Sequence, residues 1–295
     1  MLSEVLRQEL RGRRVLATDL DGTLLRPDLT VSDLTRRAIA DALAGGIHVI
    51  FVTGRPPRWM RVVAQETGHA GIAICANGAV LLDLADERVL ARTTLDPVAA
   101  AHVASGLRER FGTGVHFAVE RVEVAPMAAG TSPFGGGSPT EFALESGYRG
   151  RLPLPDDSPR MPLADLLALP DAVKLLARLD PDASDDEGFL ATAQRLAAGR
   201  LEVTHSSSQV LLEFGPAGIT KATALSDLVA SYGLNRYDVV AVGDMPNDVA
   251  MLDWAGIGLA VFDGHVQAKA TADHLVPGPM EDGVGLVLRA MLQDA

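Results

Sequence analysis

Two aspartates separated by one residue, in Asp19-Leu20-Asp21-Gly22-Thr23-Leu24, stand where a short apolar run gives way to a glycine turn. In an open parallel sheet that edge is where ligands bind. Two carboxylates at about 4 Å repel by about 4 kcal/mol at an effective dielectric of roughly 20, so their proximity needs a cation or a shared proton. More carboxylates follow another apolar run, in Gly243-Asp244-Met245-Pro246-Asn247-Asp248. Four aspartates on two sheet edges make an oxygen-only donor set, which suits Mg2+ better than zinc or copper. Taken singly, an aspartate after a strand serves as well in a turn or as a helix cap, and Asp248 alone fits either role. The four together favour a metal site.

Two further groups complete the chemistry. Thr53-Gly54-Arg55 closes a second apolar run, and Lys221 falls in the first turn of a later helical segment. A hydroxyl, backbone N–H groups and a lysine point charge are what a tetrahedral phosphate needs while its charge redistributes. Read alone, Thr53 is a helix cap and Lys221 a solvated surface lysine. Their placement beside the acidic runs turns the reading toward phosphate, with Arg55 and Asn247 as candidate substrate or support residues.

These residues need a scaffold that brings several chain segments to one edge, and the sequence supplies alternating strands and helices. Apolar runs at Arg14–Thr18, Ile47–Val52 and Ile72–Ala76 read as buried strands. Between them, Ser32–Ala44 and Pro57–Thr67 have helical character, the first closed by Gly45-Gly46 and the second opened by proline. The same grammar returns near the C-terminus in helices at Ile219–Tyr232, Asn247–Trp254 and Val284–Leu292, with strands at Asp238–Val242 and Ile257–Val261. Both ends thus predict one doubly wound, Rossmann-like parallel sheet of the α/β class. The middle reads as an inserted α+β module. It has a hairpin at Leu81–Leu90, helices at Asp96–Phe111 and Ser184–Ala198, and strands at Val115–Val124, Ala172–Leu179, Leu201–Thr204 and Gln209–Phe214. A Gly/Pro/Ser-rich stretch, Pro126–Pro139, is a mobile-loop candidate. The expected division is core at 1–83 and 216–295, with the insert at 84–215.

Composition narrows the function. A chain of 295 residues with 47% hydrophobic residues, 22% charged residues and a mean hydropathy of +0.17 has the apolar content for sizeable cores, which excludes a disordered class. Its net charge of −12 disfavours nucleic acid and anionic membrane surfaces as partners. The start mixes charges with apolar residues and no apolar run reaches membrane-spanning length, so a cytoplasmic protein is expected. The one cysteine, Cys75, excludes an intrachain disulfide or a thiolate zinc site, and in its apolar strand it reads as a core residue.

In this order along the chain, Asp19-Leu20-Asp21-Gly22-Thr23-Leu24, Thr53-Gly54-Arg55, Lys221 and Gly243-Asp244-x-x-Asn247-Asp248 resemble the four motifs of the haloacid dehalogenase (HAD) superfamily of phosphohydrolases. Asn77-Gly78-Ala79 and Asn247-Asp248-x-x-Met251-Leu252 are further likenesses, and the insert resembles the C2-type cap of the Cof-like, type IIB branch. The resemblance implies a HAD-like core that hydrolyses a small phosphomonoester, such as a sugar phosphate, with Mg2+ and through an aspartyl-phosphate. Asp19 would be the nucleophile and Asp21 the general acid/base. Asp19, Asp244 and the backbone carbonyl of Asp21 would ligate the metal, with Asp248 supporting it. Thr53 and Lys221 would hold the phosphoryl group, helped by backbone N–H groups near Gly22 and Gly54. Ala222 stands where many relatives have glycine, and Val261-Phe262-Asp263-Gly264 replaces a Met-Ala-Asn-Ala-like run. Competing functions are a phosphomutase with the same nucleophile, a non-enzymatic sugar-phosphate sensor, and a signalling receiver.

Outside the motifs, Lys174 lies in an apolar strand of the insert, where an unpaired ammonium is costly, so it is expected to meet a substrate anion or a carboxylate. His116, His205 and Trp59 read more readily as surface, capping or packing residues than as ligands.

Overall fold

The computed structural model describes residues 2–123, 142–149, 158–180, 186–205 and 210–293; the Pro126–Pro139 stretch lies outside them. It divides into two compact units, Met1–Leu90 with Thr220–Ala295, and Ala91–Ile219.

The first unit is built around the strand Val15–Thr18, all four residues of which are buried. On one side it pairs in parallel with His48–Val52, which is followed by Ile72–Cys75. On the other side it pairs in parallel with Val239–Gly243, followed by Ile257–Val261 and His274–Val276. Val80–Asp83, antiparallel to Ile72–Cys75, and Arg88–Arg92 complete an eight-stranded sheet. The central strands bury both faces, which is why they read as continuous apolar runs rather than alternating ones. Val15, Ala17, Ile50 and Val52 pack on one face against Leu225, Val229 and Met251.

The sheet reverses its winding between Val15–Thr18 and Val239–Gly243, and a crevice forms outside the carboxyl ends of the strands at such a point. Register places Thr18 beside Val242 and Phe51, so Asp19, Asp244 and Thr53 all leave the same edge of three adjacent strands. Helix starts behind this edge are set by local caps. Ser32 accepts from the Thr35 N–H ahead of Asp33–Ala44, and Thr220 accepts from the Thr223 N–H ahead of Lys221–Ser231.

The second unit is an α+β module. Its six strands run in the order Leu201–Thr204, Leu211–Pro216, Ala172–Leu179, Val115–Arg121, Phe142–Glu145 and Arg160–Met161, antiparallel apart from the last pair. Helices Pro97–Phe111, Leu163–Leu167 and Asp186–Ala197 enclose a core with the sheet, including Val103, Leu107, Leu166, Phe117, Leu175, Phe189 and Phe214. The strand period of two sends Ala118, Leu176, Phe142 and Leu144 into a separate cluster. Among the described residues no helix is long and apolar enough to cross a membrane.

The unit boundaries fall at Leu90/Ala91 and Ile219/Thr220, whereas turn-forming residues alone suggested Asp83 and Gly215. Arg88–Arg92 returns as the outermost strand of the core sheet, which carries the first boundary past the polar turn. Pro57–Thr67, expected as one helix, is a 3-10 turn, Pro57–Trp59, followed by an α-helix, Met60–Thr67.

One buried group gives this fold a pH dependence. His69 is buried and stacks edge-on against Phe51, and burial pushes its pKa from 6.5 down to about 4. The unfolded chain therefore binds the proton more readily, and the stability tied to neutral His69 is present above about pH 6.5 and is lost as pH falls toward 4. His69→Phe is expected to flatten the fall in urea-unfolding free energy across that window, by up to about 3 kcal/mol. An unchanged slope would show that other groups control acid unfolding.

Candidate active site

The centre of the site is a lysine buried among carboxylates. Lys221, the first residue of its helix, is 1% exposed. Its Nζ donates to Asp19 Oδ1 at 2.5 Å and to Asp248 Oδ1 at 2.6 Å. Burial alone would lower the Lys221 pKa, but the two carboxylates outweigh it and hold the ammonium above its ordinary value.

Asp19, Asp244 and Asp248 each bring a carboxylate oxygen to within 4.8 Å of the others. With all three ionised, one ammonium shared among the carboxylates would leave two negative charges in excess. The carboxyl groups register this. Burial, with Asp248 and Asp244 adding to it against Lys221, drives the Asp19 pKa well up. Burial and then Asp248 push Asp244 up to about 7. An all-oxygen donor set carrying this excess fits a hard divalent cation.

The supporting contacts assign different work to each aspartate. Asp248 is fully buried, and its second oxygen accepts from the Asp244 and Met245 N–H groups at 2.9 and 3.0 Å, so it ties the loop to the lysine. Asp244 accepts from the Thr23 hydroxyl at 3.1 Å. Gly22 has φ +81, and a Cβ there would stand 2.5 Å from Asp244 Oδ2, so the turn admits only glycine if Asp244 is to approach. Asp21 lies outside the carboxylate cluster. Its side chain is 55% exposed and meets Arg55 in a two-pronged ion pair, Nε to Oδ2 at 2.7 Å and Nη2 to Oδ1 at 2.5 Å. Its side chain is therefore not among the carboxylates placed to hold a metal ion. Thr53 is 1% exposed, and its hydroxyl accepts from the Arg55 N–H at 3.0 Å. Asn247 donates from Nδ2 to Asn77 Oδ1 at 3.1 Å.

The structure thus brings Asp19, Asp21, Thr53, Gly54, Arg55, Lys221, Asp244, Asn247 and Asp248 to one edge of one sheet. Sequence reasoning missed Thr23 as the partner of Asp244 and Asn77 as the partner of Asn247, although both stand inside the motifs quoted above. Lys174 belongs to the second unit, where its Nζ donates to Glu213 Oε2 at 2.8 Å, so its expected carboxylate is present. His116 lies 3.3 Å from Asp180, and Trp59 stacks under Arg58. Cys75 is a buried core residue.

Residues 16–288 match the family described as haloacid dehalogenase-like hydrolase. The chain is 27% identical over 279 residues to the 5-amino-6-(5-phospho-D-ribitylamino)uracil phosphatase YcsE of Bacillus subtilis, covering 94% of each. It is 25% identical to the pyridoxal phosphate phosphatase YbhA of Escherichia coli, covering 92% of this chain and 96% of that one. Among solved structures, the HAD-superfamily protein BT1666 from Bacteroides thetaiotaomicron superposes with a TM-score of 0.72 at 19% identity, over 98% of this chain and 97% of that one. The motif edge, the inserted module and these likenesses agree: the chain belongs to the haloacid dehalogenase-like hydrolases and is a phosphatase, a phosphoric monoester hydrolase, of that family.

Proposed function

We propose that this phosphatase hydrolyses a small phosphorylated metabolite by Mg2+-assisted transfer of the phosphoryl group to Asp19. The observation that carries the proposal is the Lys221 ammonium 2.5 Å from Asp19 inside a cluster with excess negative charge. The likeness to phosphatases named for a phosphoribityl pyrimidine and for pyridoxal phosphate supports the substrate class. Asp19, Asp244 and the Asp21 carbonyl would hold Mg2+, with Asp248 supporting them. A divalent cation there would lower the carboxyl pKa values and offset the charge of the phosphate.

In the first step an Asp19 oxygen attacks phosphorus as the bond to the leaving alkoxide breaks, and the Asp21 carboxyl gives its proton to the alkoxide oxygen. Thr53, Gly54 and Lys221 hold the phosphoryl oxygens. In the second step water attacks the phosphorus of the aspartyl-phosphate, Asp21 takes the water proton, and the bond to Asp19 breaks to release orthophosphate.

Phosphate release from a panel of sugar, nucleotide and cofactor-precursor monoesters should need Mg2+, stop with excess chelator and require no bisphosphate activator. Asp19→Asn, near-isosteric but a poor nucleophile, should abolish it while the protein stays folded. Near wild-type kcat in that variant would place the nucleophile elsewhere.

Asp21→Asn should slow turnover of a sugar phosphate by about 10²–10⁴-fold per proton-transfer role, and of an aryl phosphate less, because phenolate leaves with little protonation. Equal fractional losses in kcat/KM would refute the acid role.

Lys221→Met removes the ammonium from a cluster of three carboxylates, two of them buried. In chelator at neutral pH the cost should be about 3–5 kcal/mol of unfolding free energy, partly recovered by Mg2+. Wild-type stability in chelator would contradict the charge balance described above.

A further inference from the structure

The strand Ile72–Cys75 ends in backbone that its residues do not favour. Ala76 has φ +53 and Asn77 φ +57, two consecutive left-handed residues, followed by Gly78 at φ +112. Asparagine tolerates that region and alanine does not, so the turn stores strain that its surroundings must hold. They hold it through the phosphate loop. The Ala76 N–H donates to the Arg55 carbonyl at 2.9 Å, and the Asn77 N–H donates to the Thr53 carbonyl at 3.0 Å. The Asn77 side chain, 8% exposed, lies against Gly54, where an added Cβ would come within 3.0 Å of its Oδ1. The same Oδ1 accepts from Asn247 Nδ2 at 3.1 Å. The turn therefore contacts Thr53, Gly54, Arg55 and Asn247, and the Asn77 side chain itself reaches two of them.

We infer that Asn77 is a positioning residue for phosphoryl transfer, locking the Thr53-Gly54-Arg55 loop to the Gly243–Asp248 loop at the spacing a phosphate needs. The inference rests on the phosphate-binding reading of Thr53 and Lys221 given above and adds the group that sets their separation. Thr53 reaches the site from one strand, and Asn247 from the loop after another. Val15–Thr18 lies between those two strands, and the Asn77 turn, held to Thr53 and Arg55 by backbone bonds, reaches the Asn247 loop through the Asn77–Asn247 amide pair. Arg55 shares the tie, because its carbonyl is held by Ala76 while its guanidinium holds Asp21. Displacement of the loop would then misplace both the phosphate cradle and the acid/base, and misplacement of about 1 Å at a reacting centre costs roughly 100-fold in rate.

The decisive variant is Asn77→Gly, which accommodates the positive φ and removes the side chain with its amide. With Mg2+ and the best monoester of the panel, kcat/KM should fall roughly 10- to 100-fold. The inhibition constant for orthophosphate should rise about tenfold, as for one lost hydrogen bond of the stronger kind. The melting temperature should stay close to that of wild type, because glycine relieves strain at this position. A residue that merely stabilised the fold would move the melting temperature and leave the phosphate constant of the folded enzyme unchanged. Asn247→Ala, which cuts the same bond from the other side, is the second arm. Its loss should not multiply with that of Asn77→Gly, and the double variant should lie within about threefold of the weaker single one. An Asn77→Gly enzyme with wild-type kcat/KM and phosphate inhibition would overturn the inference, as would losses that multiply in the double variant. Failure of wild type to release phosphate with Mg2+ would instead overturn the proposed function, and this inference with it.

Discussion

The site depends on one ammonium group placed between two carboxylates out of water. Lys221 reaches Asp19 and Asp248 at once, and neither it nor Asp248 has appreciable contact with solvent. Such burial is tolerable only when every partner is present, because a lone buried charge costs several kcal/mol. The neighbouring features meet that condition. Thr220 starts the helix so that Lys221 is its first residue, and the second oxygen of Asp248 takes two backbone N–H groups that the loop would otherwise bury unpaired. Gly22 lets Asp244 approach, and Thr23 then fixes it. The remaining imbalance, three carboxylates to one ammonium, leaves the cluster able to take a cation rather than closing it as a salt bridge.

Much of this was legible in the sequence, because the chemistry sits where buried strands end and such strands are visible as apolar runs. Asp19, Thr53 and Asp244 each follow one directly. The winding of the sheet, which brings those ends together, follows from strand–helix alternation. What was not legible depends on side-chain direction across loops. The Arg55 clamp on Asp21 joins residues 34 apart, and the Thr23 bond to Asp244 joins residues 221 apart. Elements too short to show a period also escaped. Glu4–Leu10 has seven residues and His274–Val276 has three. Cooperative helix formation and strand pairing make such segments products of tertiary packing rather than of local preference.

The second unit shows the same limit. An ammonium in an apolar strand needs an anion, but pattern alone does not say whether that anion belongs to the protein. Register decides it. Lys174 lies on Ala172–Leu179 between Val115–Arg121 and Leu211–Pro216, and Glu213 on the latter strand supplies the carboxylate. The charge is thus balanced inside its own sheet, which is the arrangement expected of a buried lysine with a structural role.

Asp19 and Asp21 show how two like side chains two residues apart acquire different capacities. Asp19 is 6% exposed, fixed by Lys221 and surrounded by other carboxylates, while the Asp21 side chain is 55% exposed and held by an arginine at the rim. A nucleophile benefits from the first setting, since a dry, rigid carboxylate has little solvent to shed and little orientation to lose before attack. A proton shuttle needs the second, where water can reach the group and its partner can release it between steps. On the proposed mechanism, exchanging the two residues' roles would put the proton carrier where water is scarce and the attacking group where water competes for it. The strand stops at Thr18 and the turn at Gly22 carries the chain away from that edge, so the division of labour proposed above would follow from backbone placement rather than from any difference in the side chains themselves.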